Sequence, residues 1–105
     1  MKLKVITGET AGQEFKVIDG MNLIGRSCAG NDTNIIDLEP VDTDAKVSRR
    51  HAMIEKKGET IIIWDLGSLN GTFVNQNERL KNGEQCHLKE GDKVIIGKTA
   101  LLVAD

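Results

Sequence analysis

A chain of 105 residues with 39% hydrophobic and 29% charged positions is sized for one domain around one core, and it excludes both a disordered tail and a membrane span. A formal charge of −2 and an aromatic content of only 3%, with no tyrosine, argue against nucleic acid as a partner. Such binding needs many cations for the backbone phosphates and rings on which bases stack.

The start, Met1-Lys2-Leu3-Lys4-Val5, enters an alternating pattern without the long apolar stretch of a signal or transit peptide. A cytoplasmic setting without membrane contact is expected, and with it free thiols at Cys28 and Cys86. The first strand closes at the polar loop between Gly8 and Gly12, and Phe15 and Val17 begin the next. Asp19-Gly20 then separates Lys16-Val17-Ile18 from Met21-Asn22-Leu23-Ile24 and predicts a type I′ hairpin, because both central positions of that turn need positive φ. The third strand ends at Gly25-Arg26.

From Ser27 to Lys46 the residues are mostly polar, with Asn31, Asp32, Thr33 and Asn34 as turn formers, a brief apolar Ile35-Ile36-Asp37-Leu38, and the single proline, Pro40. A long irregular crossing is expected, of the kind that usually carries function. It leads into Val47-Ser48-Arg49-Arg50-His51, a hydroxyl, two guanidinium groups and an imidazole in four consecutive positions. Arginine offers a planar fork of donors that matches phosphate oxygens, and a serine hydroxyl or loop amide can complete the cage. The competing reading of this stretch by itself is a solvated basic loop.

Ala52 to Lys56 reads as a strand and Lys57-Gly58 as a turn. Thr60-Ile61-Ile62-Ile63-Trp64-Asp65 reads as a strand buried on both faces. The turn cluster Gly67 to Gly71 precedes a short strand at Thr72-Phe73-Val74, Asn82-Gly83 turns again, and Gln85 to Leu88 is a further strand. Val94-Ile95-Ile96 and Ala100-Leu101-Leu102-Val103 pair across Gly97-Lys98, with glycine at the first central position as a type II′ turn requires. No apolar period of helical length occurs, so the chain reads as an all-β antiparallel sandwich. Alternate connections of a sandwich return to the same pole, which brings the segments after Arg26, before His51 and after Asp65 within reach of one another.

Other chemistries fit less well. Ser48, His51 and Asp65 do not have the spacing of a nucleophilic triad and no nucleophile elbow is present, so no enzyme is expected. The glycines around Asn70 lack the lysine of a phosphate-binding loop for nucleotides. Asp37, Glu39, Asp42 and Asp44 lack the ordered spacing of a calcium loop, and they read instead as a solvated face or as a selector of basic residues. No cofactor or metal is implied.

Gly25-Arg26, Ser48-Arg49-Arg50-His51 and Ser68-Leu69-Asn70-Gly71-Thr72, in this order and on strand ends, make nearly the whole chain resemble a forkhead-associated (FHA) domain. The resemblance implies a sandwich of about eleven short strands, of the FHA and SMAD type, whose loops at one end bind phosphothreonine-containing protein segments in signalling or regulated assembly. It further implies that Arg26 and Ser48 contact the phosphate, that Arg49 lines the phosphate site, that Asn70 holds the peptide backbone, and that Lys46 touches ligand side chains. Gly25 and Gly71 would serve backbone geometry and His51 would brace the loops. Arg49 and Leu69 stand where some members carry asparagine and a small hydroxyl residue. The alternative is a scaffold or self-association module that binds without phosphate, and either could be one unit of a larger protein.

Overall fold

The structure, a computed structural model, describes residues 1–26 and 33–105. Ten strands follow in chain order: β1 Lys2–Val5, β2 Glu14–Lys16, β3 Gly20–Gly25, β4 Asn34–Asp37, β5 Ala52–Lys57, β6 Thr60–Asp65, β7 Thr72–Val74, β8 Cys86–Leu88, β9 Lys93–Ile96 and β10 Thr99–Ala104. They form two five-stranded sheets, ordered β2-β1-β10-β9-β7 and β4-β3-β5-β6-β8. The core lies between them. Along each strand alternate residues point inward, so Leu3, Val94, Ile96 and Leu101 from one sheet meet Ile24, Ile54 and Ile63 from the other, all fully buried. The resemblance implied about eleven strands, against ten among the described residues.

Three expectations need correction. Asp19-Gly20 does not close a hairpin, because β2 pairs only with β1 while β3 pairs with β4 and β5 in the other sheet. The link crosses between sheets. Val17 stays with the first sheet by donating to the Met1 carbonyl, and the buried Asn22 captures the far side, accepting from the Ile18 amide and donating to the Ile18 carbonyl, both at 2.9 Å. Gly20 has φ of +94°, but Asp19 is not in the left-handed region, so the turn is not type I′.

The crossing before Ser48 is more ordered than its composition suggests. Asn34–Asp37 forms a strand parallel to β3, followed by a short 3-10 turn at Glu39–Val41. Ile36, Leu38, Val41 and Val47 are all buried and pin this path to the core. Of its turn formers, Asn31 and Asp32 lie outside the described residues, as does Cys28; Cys86 is a free, partly exposed thiol.

β6 is not buried on both faces. Ile61, Ile63 and Asp65 are buried, whereas Ile62 and Trp64 are partly exposed, since only one face of each sheet meets the core. On the outer face Leu23, Met53 and Trp64 lie side by side across three strands, and Leu23 is covered there to 2% exposure.

The hairpin at Gly97-Lys98 forms as expected, with Thr99 opposite Ile96 and Gly97 at φ of +64°. It lies at the same pole as the end of β3, the start of β5, the end of β6 and the start of β7, because Ile24 pairs with Ala52, Ala52 with Asp65, and Thr72 with Ile96. The pairing of Lys2 with Ala104 puts both chain ends at the opposite pole. No helix among the described residues is long and apolar enough to cross a membrane.

Candidate functional site

Asp42 organises the approach to Ser48. Its side chain is almost wholly buried; Oδ1 accepts from the Lys46 amide at 2.9 Å and Oδ2 from the Val47 amide at 3.0 Å, so one carboxylate folds the turn. Arg26 lies alongside. Its amide donates to the Ser48 carbonyl and its Nε to the Val47 carbonyl, both at 3.1 Å, and Nε stands 3.9 Å from Asp42 Oδ2. Gly25 makes this approach possible, because a Cβ there would overlap the Arg49 carbonyl. The glycine-arginine pair therefore joins a spatial requirement to an arginine side chain that is 37% exposed.

His51 sits behind the loop, with no exposed surface. Nδ1 accepts from the Ser48 amide at 2.9 Å, so the ring proton resides on Nε2, which donates to the Gly71 carbonyl at 2.7 Å. Both nitrogens are engaged by backbone, and the ring is neutral. Burial pushes its pKa below the ordinary value, outweighing the upward pull of the Gly71 carbonyl and of Asp65. The histidine contacts the Ser48 amide, not its hydroxyl, and Asp65 points elsewhere, so no nucleophilic triad forms.

Asp65 instead anchors the second loop. Oδ1 accepts from the Ser68 hydroxyl at 2.6 Å and the Thr72 hydroxyl at 2.7 Å, and Oδ2 from the Ser68 and Gly67 amides at 2.8 and 2.9 Å. Burial by itself would raise this carboxyl, but the four donors outweigh it and hold the pKa below the usual value. Ser68 Oγ, having donated to Asp65, accepts from the Gly71 amide at 3.0 Å. The loop is thereby closed on itself around Asn70.

The two loops and the β9–β10 turn are then stitched together. The Leu69 amide donates to Ser48 Oγ at 3.1 Å, Asn70 Nδ2 to the Lys46 carbonyl at 2.9 Å, and the Gly97 amide to the Gly71 carbonyl at 3.0 Å. A Cβ at Gly97 would lie 2.5 Å from the Lys46 carbonyl oxygen, so glycine is needed for contact as well as for the turn. Arg26, Lys46, Ser48, His51, Asn70 and Gly71 thus belong to one connected pole. Arg49 contributes its carbonyl to the packing against Gly25, and the side chains of Arg49 and Arg50 are exposed.

Residues of this assembly not identified as site residues from the sequence include Asp42, Asp65, Ser68, Arg79 and Gly97. An aspartate followed by turn residues at Asp65-Leu66-Gly67-Ser68 is a recognisable signal for side-chain capture of the next amides. Asp42 gives a similar signal ahead of Thr43 and Asp44. Nothing around Arg79 marks it, yet its Nη2 donates to the Ser68 carbonyl at 2.6 Å.

The sequence profile described as the FHA domain matches residues 22–97. The chain is 44% identical over 100 residues to an oxoglutarate dehydrogenase inhibitor of Corynebacterium jeikeium, covering 95% of this chain and 61% of that protein. It is 35% identical over 100 residues to the glycogen accumulation regulator GarA of Mycobacterium tuberculosis, covering 95% of this chain and 54% of the regulator. The chain therefore spans between half and two thirds of these relatives' lengths. Among solved structures, it is similar to the FHA domain of an Arabidopsis thaliana protein, with TM-score 0.76, 31% identity and coverage of 98% and 82%. It is also similar to a protein solved in work on phosphothreonine-dependent FHA domain interactions, with TM-score 0.73, 30% identity and coverage of 99% and 94%.

Proposed function

The chain belongs to the FHA domain family, and from that premise we propose that it is a non-catalytic recognition module for phosphothreonine-containing segments of partner proteins, acting in the cytoplasm. The observation that carries this reading is the joining of Arg26, Ser48 and Asn70 at one pole through bonds to each other's loops. In this reading Arg26 supplies the charged fork and Ser48 its hydroxyl to the phosphate, with Arg49 adding charge at the rim. Asn70 already has one donor on the Lys46 carbonyl, and it offers its carbonyl oxygen and second N–H to the peptide backbone. Lys46 reaches ligand side chains, while Gly25, His51 and Gly71 keep the loops in place.

The local cation cluster on a protein of net charge −2 suits one discrete anion better than an extended polyanion. The names of the two bacterial relatives make a regulated metabolic enzyme a reasonable class of partner.

The test is titration with a phosphothreonine peptide from an oriented library, its phosphoserine version and its unmodified twin. The phosphothreonine form is expected to bind and the unmodified twin not to. A hydrogen bond to a charged group contributes roughly 1.5–3 kcal/mol, so Arg26→Ala should weaken binding about tenfold or more. Equal binding by Arg26→Ala and the parent would sink the proposal. Binding of an unmodified partner with no response to phosphopeptides would favour a phosphate-independent scaffold instead.

A further inference from the structure

We infer that Arg79 is a positioning residue for the Asn70 loop, acting on the ligand through that loop and not by its own charge. The inference rests on the phosphopeptide reading. Arg79 follows β7 in a polar stretch, and its backbone is held by the next residue: Leu80 is 8% exposed and donates its amide to the Thr72 carbonyl at 2.9 Å. From that fixed base the side chain crosses the outside of the loop. Its stem lies on Gly71, where a Cβ would come within 2.9 Å of both Cδ and Nε, and its head donates from Nη2 to the Ser68 carbonyl at 2.6 Å. A single side chain therefore grips residues 68 and 71 from outside, while Ser68 Oγ and Asp65 hold the same two residues from inside.

Leu69 and Asn70 are what remains between these grips. Leu69 is 80% exposed and provides no apolar anchor, so the order of this segment depends on hydrogen bonds. The bond from Arg79 is short and charge-assisted, which makes it one of the stronger of them. Gly71 permits the arrangement: its φ is +95° and it has no side chain in the path of the arginine stem. Lysine would keep the charge, but it has no planar fork to hold the Ser68 carbonyl while the stem lies flat on Gly71.

The experiment combines the selected phosphothreonine peptide with four proteins besides the parent: Arg79→Ala, Arg79→Lys, Asn70→Ala and the double variant Arg79→Ala/Asn70→Ala. A second readout, amide hydrogen exchange at Leu69 and Gly71 in the ligand-free protein, needs no ligand. Arg79→Ala is expected to bind roughly three- to tenfold more weakly. Arg79→Lys should be as weak as Arg79→Ala, and the alanine change should cost nothing further once Asn70 is gone. Exchange at the two amides should accelerate in both Arg79 variants. Restoration of affinity by lysine, or a full loss persisting in the Asn70→Ala background, would show direct attraction for the phosphate and overturn the inference. Unchanged exchange and unchanged affinity in Arg79→Ala would also overturn it. If the parent binds no phosphopeptide, the proposed function fails, while exchange at Leu69 and Gly71 still decides whether Arg79 orders the loop.

Discussion

Replacing His51 by alanine should cost stability first and affinity as a consequence. The ring is fully buried and joins the Ser48 amide to the Gly71 carbonyl. After truncation the Gly71 carbonyl still receives the Gly97 amide, but the Ser48 amide loses the acceptor it has here. An unpaired donor of this kind costs roughly 1–3 kcal/mol, and the space left by the imidazole adds to that, giving a total of about 2–4 kcal/mol. For a domain near this size each kcal/mol lowers Tm by roughly 4–8 °C, so a fall of about 8–32 °C is expected. Ser48→Ala provides the contrast. Among the described residues its hydroxyl accepts the amide of the exposed Leu69, a bond worth about 0.5–1 kcal/mol, and its Tm should drop by no more than roughly 8 °C while phosphopeptide affinity collapses. Thermal melting and peptide titration on both variants decide the matter. If His51→Ala melts with the parent, or Ser48→Ala melts as early as His51→Ala, the assignment of frame and ligand contact is reversed.

Asp65→Asn should destabilise by roughly 1.5–3 kcal/mol, because an amide has one acceptor oxygen where the carboxylate takes four donors on two, and a parent-like melting curve would refute this. Gly25→Ala should cost at least about 1–3 kcal/mol, since the added carbon meets a backbone carbonyl that cannot swing aside; a soluble, fully stable variant would count against that packing. His51 and Asp65 both have folded-state pKa values below their ordinary ones, so the unfolded chain takes up their protons more readily and acid destabilises the fold. The His51 contribution is complete above the ordinary value of 6.5 and is lost as pH falls from there through the folded pKa, and the Asp65 contribution follows below 3.8. Melting in the absence of peptide should show the upper step in the parent but not in His51→Gln. Phosphopeptide affinity should itself weaken as pH falls through about 6, where the phosphate dianion takes up a proton and the arginines stay charged.

The parts of this molecule legible in the sequence are those whose signal is local. Alternation marks β1 and β5, a short apolar run marks β10, and Gly97-Lys98 forms the turn that its glycine position requires. Asp19-Gly20 misleads because turn chemistry says that the chain reverses, not which sheet the next strand enters; the burial of Val17 and the capture of Ile18 by Asn22 decide that. β4 escapes because a four-residue parallel strand has no hairpin to announce it. The same division holds at the site. Arg26, Ser48, His51 and Asn70 are conspicuous by type and spacing, whereas Asp42 and Arg79 matter through the particular backbone groups that folding delivers to them.

With Lys2 paired to Ala104, anything joined to either end of this chain departs from the pole opposite Arg26 and Ser48. The six residues of β10 separate the poles by roughly 20 Å at about 3.3 Å per residue, and the largest dimension of the molecule is 33 Å. A tethered ligand therefore needs on the order of six to ten fully extended residues merely to reach the loops of its own domain. Shorter tethers leave only a neighbouring copy within reach. Tether length alone can thus sort capture within one molecule, which does not depend on concentration, from capture between molecules, which does.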